Sequence, residues 1–408
     1  MRPLAPACLL VLLAPVASGQ PAVPAPGEVG LSQVDVGLSD SARVSLLTML
    51  PGEEVYSLWG HNALRISDPA AGIDRAYNYG SFSFDQSFFV LRFLSGRLDY
   101  LLDTEPFARE VWKYQTLRRP IIEQTLDLPP ETVRELYDLL EINALPENRA
   151  YRYDFLRDNC STRLLDVING ALVASGHPTV VLPPIDGDVT FRELVRPYSL
   201  GHPSVDLGTM LGLGLPMDQV AESRAAIFLP DALLAAADDA TVDGRPLVAS
   251  RDTVFWIEGA GDAEVAFPWP VALGWLLGAL GLATTAVGLR KPGPPGRALR
   301  LADATLFSLL GGIGLILLLL WIATEHYVTA ANVELAWLWP THLAAVAPLA
   351  RPTLSARWRR YLQASAIVTG VVVGLWGVWP EPMHAALLPV AILAVARAAS
   401  RGWAPGET

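Results

Sequence analysis

Apolar and polar positions change rhythm three times along this chain. Segments 55–67 and 75–84 alternate, and the turn-rich Asp68-Pro69-Ala70-Ala71-Gly72 separates them, which predicts a β-hairpin. A helical period follows from Glu131 to Glu141, opened by Pro129-Pro130. A second runs from Cys160 to about Leu172 and stops near Gly176. Leu/Gly-rich pieces and a helix-like stretch, Asp231 to Ala237, complete a region long enough for one sizeable core. From Pro268 the chain turns almost wholly apolar, in five candidate spans at about 269–289, 301–323, 333–350, 362–379 and 383–398. The third and fifth are short and interrupted by Pro. At the other end, Arg2, the apolar run Leu9–Val16 and the small residues Ala17-Ser18-Gly19 read as a secretory signal, with a retained anchor as the alternative. The expected organisation is a signal peptide (1–19), a Pro/Ala/Gly-rich linker (20–38), an extracytoplasmic domain (39–265), a five-helix membrane domain (266–400) and a cytoplasmic tail (401–408).

Charge gives this organisation a direction. Residues 290–408 hold ten Lys and Arg against five Asp and Glu, a net +5, whereas residues 1–289 hold twenty against thirty-six, a net −16. Basic residues sit in alternate loops. Arg290, Lys291, Arg297 and Arg300 fill the first, Arg351, Arg357, Arg359 and Arg360 the third, and Arg397 and Arg401 follow the last span. The loops Glu325–Glu334 and Pro380–Met383 have none. By the positive-inside rule the C-terminus is cytoplasmic and residues 20–268 lie in the periplasm, as a signal peptide also requires. The chain has 408 residues, of which 51% are hydrophobic and 17% charged. That composition excludes disorder, and a net charge of −11 without a basic stripe argues against nucleic-acid binding.

Motifs for a nucleophile elbow, an H-E-x-x-H zinc site, a phosphate loop and a C-x-x-C pair are absent, so no metal, nucleotide or other cofactor is expected. Once the signal and its Cys8 are removed, one cysteine remains, Cys160 in Asp158-Asn159-Cys160-Ser161-Thr162-Arg163. By count alone it reads as a buried small hydrophobe. Its surroundings argue otherwise. Asn159 is a good N-cap and Leu164, Leu165 and Ile168 form the buried stripe of the following helix, so Cys160 occupies the first helical position. There the helix dipole is expected to favour the reactive thiolate.

A thiol nucleophile needs a base. His326, His342 and His384 lie in or beside the spans, and His177 and His202 in Gly/Pro-flanked loops. His61, in Trp59-Gly60-His61-Asn62-Ala63-Leu64-Arg65-Ile66, is the best candidate, since Leu58, Leu64 and Ile66 turn one face inward and leave His61 and Arg65 on the other. Gly60 allows close approach of a backbone or ligand. The alternative is a satisfied core or surface histidine. A turn near Ala71 brings Asn78, in Tyr77-Asn78-Tyr79-Gly80-Ser81-Phe82, beside the His61 strand as the group that orients the imidazole, with Tyr77 and Tyr79 behind it. A one-residue slip would turn Asn78 to the other face.

A His on an early strand, a polar residue on the next and Asn-Cys opening a later helix resemble a circularly permuted papain-like fold. More specifically, the chain resembles the Lnb-type bacterial lipoprotein N-acyltransferases. The matching pieces are Trp59–Ile66, Tyr77–Phe82, Asp158–Arg163, Phe228-Leu229-Pro230, His326–Thr329 and Asn332 to Trp339-Pro340. The resemblance implies an α+β permuted papain-like (NlpC-like) periplasmic domain before the five-helix membrane domain, in a multi-pass protein of the bacterial inner membrane. It implies Cys160 as nucleophile and His61 as base. It further implies acyl transfer from a phospholipid, through a Cys thioester, to the N-terminal amine of a diacylglyceryl lipoprotein. Backbone N–H groups at the helix start are candidates for the oxyanion hole. Arg65, Tyr77, Tyr79, Asn159, Arg163, His326 and Asn332 are candidates for headgroup or substrate binding, with interfacial anchoring or capping as the alternative. The apolar stretch from Phe82 to Leu94 reads as acyl-groove lining or as core packing. Two other functions use the same residues differently: a membrane-anchored cysteine peptidase or amidase acting on cell-wall peptide, and a non-catalytic scaffold or transporter. An apolar groove opening at the bilayer favours acyl transfer, and a polar solvent-open groove favours the peptidase.

Overall fold

The computed structural model describes residues 37–404 apart from 84, 186, 260–264, 291–292 and 379–381. The expected signal peptide, nearly all of the linker and the last four residues lie outside that range. Nine strands are present among the described residues: β1 Arg43–Met49, β2 His61–Asp68, β3 Ile73–Ser81, β4 Asp99–Pro106, β5 Ile121–Leu126, β6 Ala150–Arg152, β7 Thr241–Val242, β8 Arg245–Pro246 and β9 Val248–Phe255. Seven build one antiparallel sheet in the order β6-β4-β3-β2-β1-β5-β9, and β7 and β8 form a small hairpin. The β2–β3 hairpin is the expected one, with Leu64 opposite Tyr77. Central β1 is buried on both faces, so its sequence RVSLLTM reads as a nearly continuous apolar run and not as an alternation.

The same half of the chain carries helices α1 Phe89–Leu94, α2 Phe107–Thr116, α3 Pro130–Ala144, α4 Cys160–Ala174, α5 Phe191–Val195, α6 Pro203–Gly212, α7 Ser223–Ala226 and α8 Pro230–Asp239. One face of the sheet carries α3 and α4, whose Leu136, Leu140, Leu164, Leu165 and Ile168 pack on Val44, Leu64, Ile66, Tyr77 and Tyr79. The other carries α2, whose Phe107 and Tyr114 cover Leu47, Met49, Ala63 and Ala76. The helices read from the sequence at 131–141, 160–172 and 231–237 are α3, α4 and α8, each slightly longer.

The helical remainder comprises α9 Trp269–Leu289, α10 Arg297–Ile322, α11 His342–Leu349, α12 Ala356–Gly374 and α13 Leu387–Gly402. Among the described residues, α9 and α10 are the helices long and apolar enough to cross a bilayer. The expected third span is not one helix. Pro340 interrupts it, leaving a short 3₁₀ turn at Val333–Ala336 and eight residues of α11, about 12 Å at 1.5 Å per residue. Asp303, on α10, is paired inside the bundle with Arg397 of α13 at 2.5 Å. The loop after α10 clasps the sheet domain. Glu325 N–H donates to Ser95 O (2.9 Å), and Val328 O accepts from Gly214 N–H (2.8 Å).

Candidate active site

Cys160 opens α4 as its sequence context requires. The Asn159 side chain accepts from Ser161 N–H (2.9 Å) and Thr162 N–H (3.0 Å), and Thr162 Oγ1 accepts from Asn159 N–H (2.9 Å), a complete capping box. The Asn159 amide nitrogen donates to Phe155 O (2.8 Å) and Phe228 O (2.7 Å), so the Phe228-Leu229-Pro230 segment braces the cap. Because the cap consumes the Ser161 and Thr162 N–H groups, Cys160 N–H is the first-turn donor left nearest the sulfur.

The start of α4 is pinned to β2. Ser161 Oγ donates to Asn62 Oδ1 (2.8 Å), and Asn62 Nδ2 donates to Thr48 Oγ1 (2.8 Å). Asn62, next to His61, is thereby held beside the start of α4, and its backbone N–H is among the groups that favour the Cys160 thiolate. Gly60, at φ +79°, turns the chain into β2, and a Cβ there would meet Met49 O at 3.0 Å and Pro230 at 3.2 Å. Continued by three residues, the β2–β3 register sets His61 opposite Gly80. Gly80 has φ +90°, and a Cβ on it would lie 3.5 Å from Cys160 Cβ and 3.3 Å from the Tyr153 ring. Its bare backbone lets the end of α4 approach the histidine strand.

Asn78 lies diagonally across from His61 on the α2 face, and its Oδ1 is 3.0 Å from His61 Nε2. Asn78 Nδ2 donates to Glu110 Oε2 (3.3 Å). The amide is thereby oriented with its oxygen toward the ring, which must present Nε2–H and keep its lone pair on Nδ1. Behind Glu110, Lys113 Nζ bridges Glu110 Oε2 (2.7 Å) and Glu105 Oε1 (2.5 Å). Glu110 is fully buried. Burial, followed by the effect of the neighbouring Glu105 carboxylate, pushes its pKa up to about 8, which favours the protonated form at neutral pH. Nothing in the spacing of α2 marks Glu110 or Lys113, since either reads as an ordinary helix-surface charge.

Electrostatically the pair rests neutral. Burial, then the charges of Lys113 and Arg119, pushes His61 down to about 3. Burial also pushes the Cys160 thiol up, against the opposing effect of the N–H donors. This reverses the expected thiolate: the helix start offers the Cys160 N–H, but loss of water outweighs it.

The remaining sequence candidates are engaged elsewhere. Arg65 binds Asp74 (2.7 Å) and Glu123 (3.0 Å) and lies over the Phe107 ring. Arg163 forms a two-point pair with Asp158 and stacks on Tyr151. Both guanidinium groups are occupied by carboxylates, so the structure does not present them as free phosphate donors. Tyr77 and Tyr79 face the α3/α4 side, where Tyr77 donates to Glu141 (2.5 Å) and Tyr79 accepts from Asn143 (2.8 Å). Asn332 donates to Leu211 O (2.8 Å) and caps the turn at Glu334, a bracing role. His326 Nε2 lies 3.0 Å from Phe93 O.

Tyr153, which no sequence motif marks, flanks Gly80 together with the Cys160 Cβ and stacks on Tyr100, centroids 4.3 Å apart. Both tyrosines line a cavity of about 360 Å³. Its walls are mainly apolar: Trp59, Phe93, Leu98, Phe155 and Val328 contribute, and Glu325 and His326 form part of the rim toward α10.

No curated protein matches the chain, and neither does any solved structure. Two family models do match. Residues 37–195 match the Lnb N-terminal periplasmic domain, and residues 262–405 match the Lnb transmembrane domain. The sheet-and-helix half holding Cys160 and His61 is therefore periplasmic, the helical half is membrane-embedded, and the chain belongs to the Lnb-type family of membrane-anchored, lipoprotein-modifying proteins.

Proposed function

We propose that the protein is a cysteine-dependent lipoprotein N-acyltransferase. It takes a fatty acyl chain from a phospholipid and passes it to the free N-terminal amine of a diacylglyceryl lipoprotein. The observation that carries this reading is the mainly apolar cavity that runs from Trp59 and Tyr153 to the loop at the end of α10, Tyr153 and the Cys160 Cβ both flanking Gly80. A peptidase for cell-wall peptide calls for a polar, solvent-open groove at the same place. The permuted papain-like order, the 39–265 and 266–400 domain division, the five-span topology and the cytoplasmic C-terminus belong to the same proposal. The alternation of basic loops supports the topology.

Chemically, His61 Nδ1 takes the thiol proton as Sγ attacks the ester carbonyl. Starting from a neutral pair, proton transfer and attack are coupled. The tetrahedral oxyanion is stabilised by Cys160 N–H. The ester C–O bond breaks, the imidazolium returns its proton to the leaving alcohol, and lysophospholipid departs. The lipoprotein amine then attacks the thioester and gives a proton to His61. The C–S bond breaks, Sγ regains that proton and the amide is released. Asn78 holds the imidazole in the tautomer both half-reactions need, and Glu110 holds Asn78.

The test is the lipoprotein pool of a host that depends on this enzyme. Cys160→Ala preserves α4, because Ala is the best helix former. In that strain the lipoproteins lose one fatty-acyl mass at the N-terminal cysteine. An unchanged pool with altered cell-wall peptide fragments overturns acyl transfer and favours the peptidase.

A further inference from the structure

The stretch around α1 is not core: Phe93 lines the cavity, and most of its apolar side chains face outward. Phe88 is 80% exposed and Leu91 68%, and Val90, Phe93 and Leu94 are exposed beside them. A contiguous apolar patch of this kind is uncommon on a water-facing surface. Phe88 also adopts φ 58° in the left-handed region, unfavourable for a bulky residue, and gains no burial within the fold. The patch is firmly tied to the membrane-facing end of the molecule. Phe93 O meets His326 Nε2, Ser95 O accepts from Glu325 N–H, and Arg97 pairs with Glu325 at 2.8 Å. These partners directly follow α10, and exposed Trp321 and Trp269, at the matching ends of α10 and α9, mark an aromatic interfacial level.

We propose that α1 is an interfacial element whose exposed face inserts into the outer leaflet of the bilayer. Phe93 belongs both to this face and to the cavity wall, so α1 forms the lateral doorway through which the donor lipid's acyl chain passes toward Cys160. The doorway rests on the acyl-transfer reading, whereas the membrane contact does not. The occupant is lipid and not a second protein surface, because the patch is continuous with helices that already lie in the membrane and the Arg92–Asp99 pair borders it on the side of the sheet domain.

The experiment uses the full chain in phospholipid nanodiscs, with Cys8 and Cys160 replaced by Ala and an environment-sensitive fluorophore on Leu91→Cys. A second sample carries it on Glu147→Cys, at an exposed position of the sheet domain. Lipids spin-labelled along the acyl chain should quench the Leu91 probe several-fold more than the Glu147 probe. Equal quenching, or a shielded Leu91 probe that lipid labels do not quench, overturns the membrane contact, the second outcome pointing to a protein partner. The doorway is tested separately with Phe88→Glu/Leu91→Glu and an intact Cys160. Acylation of Cys160 from vesicle phospholipid should fall about tenfold more than acylation from a monomeric short-chain phospholipid. An unchanged ratio overturns the doorway. Failure of the wild type to acylate from either lipid overturns acyl transfer itself, and the quenching result stands independently of it.

Discussion

His61 Nε2 lies 3.0 Å from Asn78 Oδ1, and the other end of that amide is held by Glu110. A polar line therefore runs from the imidazole through Asn78 to the buried Glu110, and on to Lys113 and Glu105, along the α2 face of the sheet. It fixes a tautomer, and it sets the charge at which the imidazole works.

Because His61 is pushed down to about 3, the free enzyme keeps a neutral imidazole across the acidic range. The rate constant kcat/KM for acyl transfer should be flat from about pH 5 to pH 7, since the ordinary imidazole pKa of about 6.5 no longer applies. An acid limb near 6.5 would contradict this. Stability carries the same signature. The unfolded chain protonates His61 below 6.5 while the folded state refuses the proton until about 3, so this contribution to stability is lost as pH falls through that window.

Glu110 gives the opposite sign. It holds its proton up to about 8 in the folded state, against the usual 4.5, so its contribution is full below 4.5 and is lost as pH rises toward 8. Glu110→Gln keeps an oxygen for Asn78 Nδ2 and has no proton to lose. The fall in urea midpoint between about pH 5 and pH 8.5 should be smaller in Glu110→Gln than in wild type, with activity at pH 7 largely kept. A parallel fall in both proteins would remove Glu110 from this role.

Gly80→Ala tests the approach of α4 to the histidine strand. The added methyl meets Tyr153 at 3.3 Å and Cys160 at 3.5 Å, on a backbone at φ +90°. Strain of about 1–2 kcal/mol should lower the melting temperature, and displacement of Cys160 should reduce the rate by more than the loss of folded protein. Full activity with unchanged melting would show that the contact is slack.

For topology, a reporter fused after Thr408 should report the cytoplasm and one inserted near Gly27 the periplasm, by the alternation of basic loops. Both on one side would mean an even number of crossings.

Much of the site was legible because its signals are local. Asn159 and the Leu164/Leu165/Ile168 stripe place Cys160 at a helix start, and a Pro/Gly turn of known length places Asn78 beside His61. The rest depends on partners far along the chain. Arg65 looks free until Glu123 on β5 takes it, fifty-eight residues away. Glu110 shows its burial only once α2 lies on the sheet. The thiolate expectation weighed the helix dipole, which the sequence displays, without desolvation, which it does not. The third span read as apolar enough to cross, yet Pro340 breaks its backbone into a 3₁₀ turn and a short helix. The stretch 82–94 was apolar by composition, and composition does not distinguish a groove, a core and a membrane-facing surface.

That Cys160 carries the acyl chain between two lipid substrates is the central claim, and one measurement addresses it directly. Purified wild-type protein is incubated with a phospholipid of defined chains in the absence of any lipoprotein, and intact-mass spectrometry follows. The expected result is one added fatty-acyl mass, located on the Cys160 peptide, released by neutral hydroxylamine and missing from Cys160→Ala and His61→Ala. No added mass, or an acyl group that persists in Cys160→Ala, would contradict it.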